Sequence, residues 1–354
     1  MASQVSPSAG AGRCFEDFRL GQTLRHATPR TVTAGDVALW IALYGSRFAV
    51  QCSTEFAQAL GYPASPLDDL LVFNLVFGRT VADVSQNAIA NLGYAACRFL
   101  VPAFPGDTLS AVSDVIGLRE TSGGEAGVVY VRTRGMNQHG AIVLDYVRWV
   151  MIGKREPRSP KATGYLPDLP QALSPNEIGG ACPPIEVARY DTTLSGSPRR
   201  WGDYAVGEKI DHCQGMTVEE AEHQMATRLY QNSARVHFDQ LGAEKGRFGR
   251  RLVYGGHVMS LARSLSFNGL ENAFHVAGIN AGHHVAPLFA GSTVFAWSEV
   301  LEKAVIPDRH DVGAMRLRTT AAKDRPCADH PGRVGEGYDP AVILDLDYWV
   351  LMPR

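Results

Sequence analysis

The stretch LLVFNLVFG, residues 70–78, decides how this chain is read. Leu70, Leu71, Val72, Phe73, Leu75, Val76 and Phe77 ring the axis of a helix and leave it no polar face. A helix that is apolar all round has to be enclosed by protein. The segments that follow predict the enclosure. CRFLVPAF (97–104), TLSAVSDVIGL (108–118), GVVYVRTRGMN (127–137) and IVLDYVRWVM (142–151) are rich in β-branched and aromatic residues and are cut by Gly and Pro-Gly turns. They read as an antiparallel meander. One buried helix followed by such strands is an α+β unit in which the sheet wraps the helix.

The unit occurs twice. FEDFRLGQTLRH (15–26) matches WGDYAVGEKIDH (201–212) in its aromatics, Asp, Gly and final His, at an offset of 186 residues (201 minus 15). GYAACRFLVPAFPGDT (93–108) matches GINAGHHVAPLFAGST (278–293), the offset now being 185 (278 minus 93). LDYVRWVM (144–151) is similar to LDLDYWVLM (344–352), and GGHVMSLARSLSF (255–267) stands where the first apolar helix should recur. Self-similarity at a fixed period indicates a tandem duplication. The expected organisation is a disordered tail over 1–14, a unit over 15–153, a linker over 154–200 and a second unit over 201–354. The linker is rich in Pro, Gly and Ser, a composition that argues against a packed element of its own. A connection this long is expected to cross the body and set the second unit beside the first.

Composition bounds the function. The chain has 354 residues, 45% hydrophobic and 20% charged, which suits a globular protein with a large core. Its net charge of −2 offers no basic field for nucleic acid or an anionic membrane. No stretch approaches the roughly 18 apolar residues of a membrane span, and MASQVSPSAGAGR lacks the apolar core of a signal peptide. Six cysteines (Cys14, Cys52, Cys97, Cys182, Cys213, Cys327) are scattered with no CxxC spacing. Reduced thiols and a cytoplasmic location are expected, with Cys52 and Cys97 in packing roles. No glycine-rich phosphate loop follows a strand, so no nucleotide cofactor is expected.

YQNSARVHFD (230–239) raises the question of chemistry, because Asn232 and His237 lie five positions apart in it. Histidine titrates near neutral pH and suits general acid–base work. The matching segment of the first half, YGSRFAVQ (44–51), has Ser46 opposite Asn232 and Gln51 opposite His237. A histidine needed only for packing gives both halves equal reason to keep it. The asymmetry points instead to one active and one retired site.

Three segments carry a family resemblance. RFLVPAFPGDTL (98–109) resembles the strand and turn of the MaoC-like dehydratases, YQNSARVHFD resembles their hydratase segment, and RRLVYGGHVMSLA (250–262) resembles the helix start that follows it. The resemblance covers nearly the whole chain in two copies. It implies a tandem double hot-dog fold, each unit an antiparallel sheet around a central apolar helix. It also implies a hydro-lyase that adds water reversibly across the double bond of a branched enoyl-CoA thioester. The substrate expected is a methylated four-carbon acyl group with a distal carboxylate. No cofactor is implied beyond the CoA of the substrate.

Carried onto this chain, the resemblance makes His237 the general base in hydration. Asn232 stands where the family has an Asp; an amide orients water but carries no proton to substrate. Asp239 and Glu244 are the nearby acids considered for the second proton transfer. Gly256 aligns with the glycine whose N–H receives charge from the thioester oxygen, and Gly255 replaces a frequent His. Arg235 and Arg47 are candidates for the distal carboxylate. Lys245, Arg247, Arg250 and Arg251 are candidates for the CoA phosphates, with a solvated basic loop as the alternative. Asp68 and Asp69 read as a helix cap in the first half. His257, His283 and His284 form no convincing metal set. Another substrate for a MaoC-like enoyl-CoA hydratase, a hot-dog thioesterase and a non-catalytic acyl-CoA-binding module stand as other readings. A homo-oligomer, with a homodimer favoured, is expected from exposed sheet edges.

Overall fold

The computed structural model describes residues 12–157 and 164–354. Most of the expected tail, and Pro160 in the linker, lie outside the described residues. Strands β1 (Thr23–Thr31), β2 (Ala88–Phe99), β3 (Thr108–Glu120), β4 (Ala126–Met136) and β5 (Ile142–Gly153) belong to the first half. The second half contributes β6 (Lys209–Asp211), β7 (Met216–Thr217), β8 (His275–His284), β9 (Thr293–Ile306), β10 (Arg309–Lys323) and β13 (Val342–Pro353). A small hairpin of β11 (Arg333–Val334) and β12 (Gly337–Tyr338) stands apart. The eleven main strands form one sheet in the order β1-β3-β4-β5-β2-β8-β13-β10-β9-β6, with β7 also on β9. Read outward from the seam between β2 and β8, the two halves repeat the same order. The seam is short: Cys97 faces Ile279 and Arg98 faces Gly278.

Each half folds its sheet around one helix. The first core helix, Asp69–Thr80, is buried at every residue from Leu70 to Thr80. Its seven large apolar side chains contribute about 1.5–3 kcal/mol each on burial, as an upper estimate. The second core helix, Gly255–Leu265, is buried from Gly256 onward and carries Ser260, Arg263 and Ser264 in that burial. Its Arg263 guanidinium lies 3.7 Å from the centroid of Phe48 and donates to the Ser266 hydroxyl and the Ala273 carbonyl. A helix precedes each site loop: Ala34–Tyr44, capped by a Thr33/Asp36 capping box, and Glu220–Leu229. The side chains of Tyr44 and Tyr230, equivalent positions in the repeat, meet hydroxyl to hydroxyl between the halves.

The linker departs from its composition. It forms short helices at Pro175–Gly179 and Thr192–Ser195. Leu173, Ile178, Ala181, Ile185, Val187 and Tyr190 are buried in a common cluster with Phe274, Ala277, Trp349 and Leu351. The reason lies in β13, which is buried on both faces. One face packs on the core helices, and the other needs a cover that neither core helix supplies. Apolar side chains spaced between prolines provide it, and tertiary burial outweighs the local breakers. Cys97 is buried at the seam, whereas Cys52 is exposed and is not a packing residue.

The first core helix also touches the second half's site loop. A Cβ at Gly78 would lie 2.0 Å from the Tyr230 carbonyl oxygen, so only glycine allows this approach. Gly78→Ala gains about 1 kcal/mol of helix propensity, but the contact is with backbone and overpacking costs about 1–3 kcal/mol. The expected outcome is a lower urea midpoint at unchanged slope, with loss of whatever activity the loop supports. A midpoint equal to the parent's would contradict the close contact.

Candidate active site

The site loop begins where the second lead-in helix ends. Gln231 adopts a left-handed φ of 51°, and the Asn232 side-chain oxygen accepts from the Ala234 N–H at 2.9 Å. This Asx-turn bends the chain into a single helical turn over Arg235–His237. The first half holds the loop from beneath. Arg30 donates to the Leu229 carbonyl, Arg79 donates to the Gln231 side chain, and Gln86 donates to the Ser233 carbonyl at 3.1 Å.

His237 is oriented by the Leu252 carbonyl, 2.8 Å from its Nδ1. A carbonyl only accepts, so Nδ1 carries the proton and Nε2 is left with its lone pair. The ring meets Tyr254 edge-on at 5.4 Å between centroids. Burial pushes the imidazole down to about 4, with the Leu252 bond opposing. At neutral pH His237 is therefore an uncharged base.

Three residues past Leu252 the second core helix begins at Gly255. Among the described residues no acceptor meets the N–H of Gly255 or Gly256, as expected for the first turn of a helix. Gly256 is held by the first half. A Cβ there would lie 1.9 Å from Asn74 Oδ1, so a side chain is excluded. Asn74 donates to Ser260 Oγ at 3.1 Å, and Ser260 in turn donates to the Gly256 carbonyl at 2.7 Å. The helix start thus presents two open N–H groups, each with partial positive charge.

His284 joins this site, which sequence reasoning weighed only as a metal ligand. A Cβ on Gly255 would lie 2.5 Å from its Cε1 and Nε2, so the ring covers the helix start. Burial pushes it down to about 4, and the charges of His283 and His237 act in the same direction. The signal was present in the repeat: His284 stands opposite Phe99 (284 minus 185), an asymmetry of the same kind as His237 against Gln51.

The polar groups at the equivalent place in the first half are already partnered by protein. Gln51 donates to the Phe274 carbonyl at 2.7 Å. Asp68 caps the helix through the Leu70 N–H at 2.9 Å, and burial, then the Asp69 charge, push it up to about 6. Asp69, opposite Gly255, pairs with His275 Nδ1 at 2.9 Å and accepts from the Val276 N–H at 2.7 Å. A cleft lies here, lined by Gln51, Leu67, Asp69, Val72, Phe99 and His275.

The remaining expected residues divide. Arg235 is exposed on the His237 turn, with no ion pair among the described residues. Arg47 is not beside His237. It donates to Asn268 and lies over Phe267, past the C-terminal end of an eleven-residue helix whose other end is Gly255. That separation is about 16 Å at 1.5 Å per residue. Arg251 is tied to Glu220, and Arg250 donates to the Ala290 carbonyl at 2.7 Å. Lys245 and Arg247 are exposed. Asp239 caps a short helix through the Gly242 N–H, and the exposed Glu244 accepts from Gln240. The turn is helical and not extended, so alternation does not carry Asp239 onto the His237 face. Among the described residues no group of three or more His, Cys, Asp or Glu could hold a metal ion. No helix among them is long and apolar enough to cross a membrane.

Comparison with known proteins gives concordant results. A family model described as mesaconyl-CoA hydratase matches residues 5–172. The chain is 58% identical to the β-methylmalyl-CoA dehydratase of Chloroflexus aurantiacus, covering 99% of each chain. It is 56% identical to the mesaconyl-CoA hydratase of Cereibacter sphaeroides, covering 97% of this chain and 99% of that one. A crystal structure of a MaoC domain dehydratase from Chloroflexus aurantiacus superposes with a TM-score of 0.94 at 57% identity, over 100% of this chain and 99% of that one. A Mycobacterium tuberculosis protein with a double hotdog fold superposes at 0.73 with 24% identity, over 97% and 99%, and shares the fold.

The depressed histidines fix a pH dependence. His212 and His237 are pushed down to about 4 and His257 to about 3, in each case chiefly by burial. In the unfolded chain they titrate near 6.5. Between about 6.5 and 4 the unfolded state binds protons that the folded state refuses, so stability falls as pH drops through that window. Denaturant midpoints should be lower at pH 5 than at pH 7. If His237 acts unprotonated, catalysis per folded molecule should hold level over the same interval. An activity loss centred near pH 6.5 would contradict the neutral imidazole.

Proposed function

The chain belongs to the mesaconyl-CoA hydratase family of MaoC-like dehydratases, and from that premise we propose that it interconverts mesaconyl-CoA and β-methylmalyl-CoA by reversible hydration. The observation that carries the mechanism is His237, its Nδ1 fixed on the Leu252 carbonyl three residues before the open helix start at Gly255–Gly256, with no hydrogen-bond partner on Nε2 among the described residues.

In hydration, Nε2 takes a proton from water as the oxygen bonds to C3. The double-bond electrons move toward the thioester, and the charge on its oxygen is received by the Gly256 N–H. A proton then bonds to C2 and collapses the enolate. The imidazolium of His237 can return the proton it took, so one group balances both transfers. In dehydration the same steps run backward. Asn232 has its oxygen committed to the turn, and its NH2 is the part that can orient the water. The thioester carbonyl itself activates the double bond, so the mechanism invokes no cofactor.

Arg235 is the arginine proposed for the distal carboxylate, since it is exposed on the catalytic turn. Lys245 and Arg247 are proposed for the CoA phosphates. The first half is assigned a non-catalytic role as a wall of the acyl pocket. Association of chains is also proposed, because β1 and β6 end the sheet with outward edges unpaired among the described residues.

A single assay tests the reading. With mesaconyl-CoA, enoyl-thioester absorbance should fall reversibly without release of free thiol, and His237→Ala should reduce the rate by about 10²–10⁴-fold. Thiol release would mean a thioesterase. Binding with neither signal would mean an acyl-CoA-binding module. Full turnover by His237→Ala would remove the proposed base.

A further inference from the structure

We propose that His284 is a catalytic residue, an N–H donor that shares with Gly256 the charge developing on the thioester oxygen. This rests on the hydratase reading and deepens it.

Three observations converge. The first is placement. The Cε1–Nε2 edge of the ring lies over Gly255, at the mouth of the helix whose first N–H groups have no acceptor. An oxygen held by the Gly256 N–H therefore lies within the reach of this imidazole.

The second is the lack of any other employment. His26 and His212 each bond through both nitrogens, to Asp83 and Ser113 and to the Asn268 carbonyl and Ser298. His257 is bonded by Tyr44 at 2.8 Å and His237 by Leu252. For His284 the one polar contact among the described residues is Tyr94 Oη at 3.5 Å from Nε2, at the outer limit of a hydrogen bond. A ring so placed and so poorly partnered is explained by a ligand atom.

The third is the pattern of loss. Three positions differ together between the halves: Gln51 against His237, Asp69 against Gly255, and Phe99 against His284. In the half where a carboxylate occupies the helix start, the imidazole over it is replaced by a ring with no donor. Base, open helix start and covering imidazole were kept or lost as a set.

A donor is favoured over a proton carrier by the balance of protons. His237 already takes and returns the one proton the reaction moves. Burial also keeps His284 uncharged at neutral pH. A neutral imidazole retains one N–H to offer and would have to become an imidazolate to release it. Such a donor needs no reorganisation as charge develops, which is what makes fixed donors effective.

The test compares His284→Phe, the residue of the first half, with His284→Gln, which keeps an N–H near the Nε2 position. Removal of one such donor lowers kcat by about 10²–10³-fold. His284→Phe should show that loss with KM changed only a few-fold, and His284→Gln should recover to within about tenfold of the parent. Both should keep the parent's pH profile and denaturant midpoint. Parental kcat in His284→Phe overturns the proposal. So does an equal loss in both variants with a limb of the pH profile removed, which would make His284 a proton carrier. A rise in KM alone also overturns it, because the contact would then be made equally in the ground state. An inactive parent chain fails the hydratase reading itself; an active parent with an unaffected His284→Phe fails only this inference.

Discussion

The contact on which the rest depends is the approach of the first core helix to the backbone of the second half. At Gly78 the helix meets the Tyr230 carbonyl, and at Asn74 it meets Gly256. Both contacts lie on one helix face, four residues apart, one turn of the axis. One sets the height of the loop that carries His237. The other sets the start of the helix whose N–H groups face the site. No side chain fits at either glycine, so the geometry of the second half's candidate site is defined by the first half.

Duplication left two classes of residue, and comparing them separates architecture from chemistry. Architecture was kept in both copies. His26 bonds Ser113, which bonds Thr133, and His212 bonds Ser298, which bonds Thr319, in matching chains. Asp145 is held by Arg98 and Arg132, and Asp347, on the matching strand of the second half, by Arg316 and Asn280. These buried groups are satisfied, and removing one partner would leave the other stranded at a cost of about 1–3 kcal/mol or more. His237, Gly255 and His284 belong to the second class. Their counterparts Gln51, Asp69 and Phe99 pack well without performing the same task.

Much of this was legible in the sequence, for identifiable reasons. The first core helix and strands β2 to β5 followed from an all-apolar stretch and from β-branched runs, because burial on all sides leaves no room for another pattern. His237 and Gly256 followed from the repeat and the family motifs. What was not legible depended on contacts between distant segments. The linker was read from its prolines, but the outer face of β13 decides its packing. Arg47 is close to the site loop's counterpart in register, yet it reaches toward Asn268, at the other end of the second core helix. The Asx-turn at Asn232 makes the following segment helical, so no strand alternation relates Asp239 to His237. His284 was visible as a letter but not as a position, since only folding brings the end of β8 over Gly255.

Asp69 has a numerical consequence. Its carboxylate is bonded to Val276 and His275, beside a helix start that Asp68 already caps through the Leu70 N–H. A thioester oxygen seated there would meet both acidic side chains. On the proposed mechanism each polypeptide owns one reaction centre despite its doubled fold. In an assembly of such chains the number of turnover centres equals the number of subunits, half of what counting hot-dog units suggests.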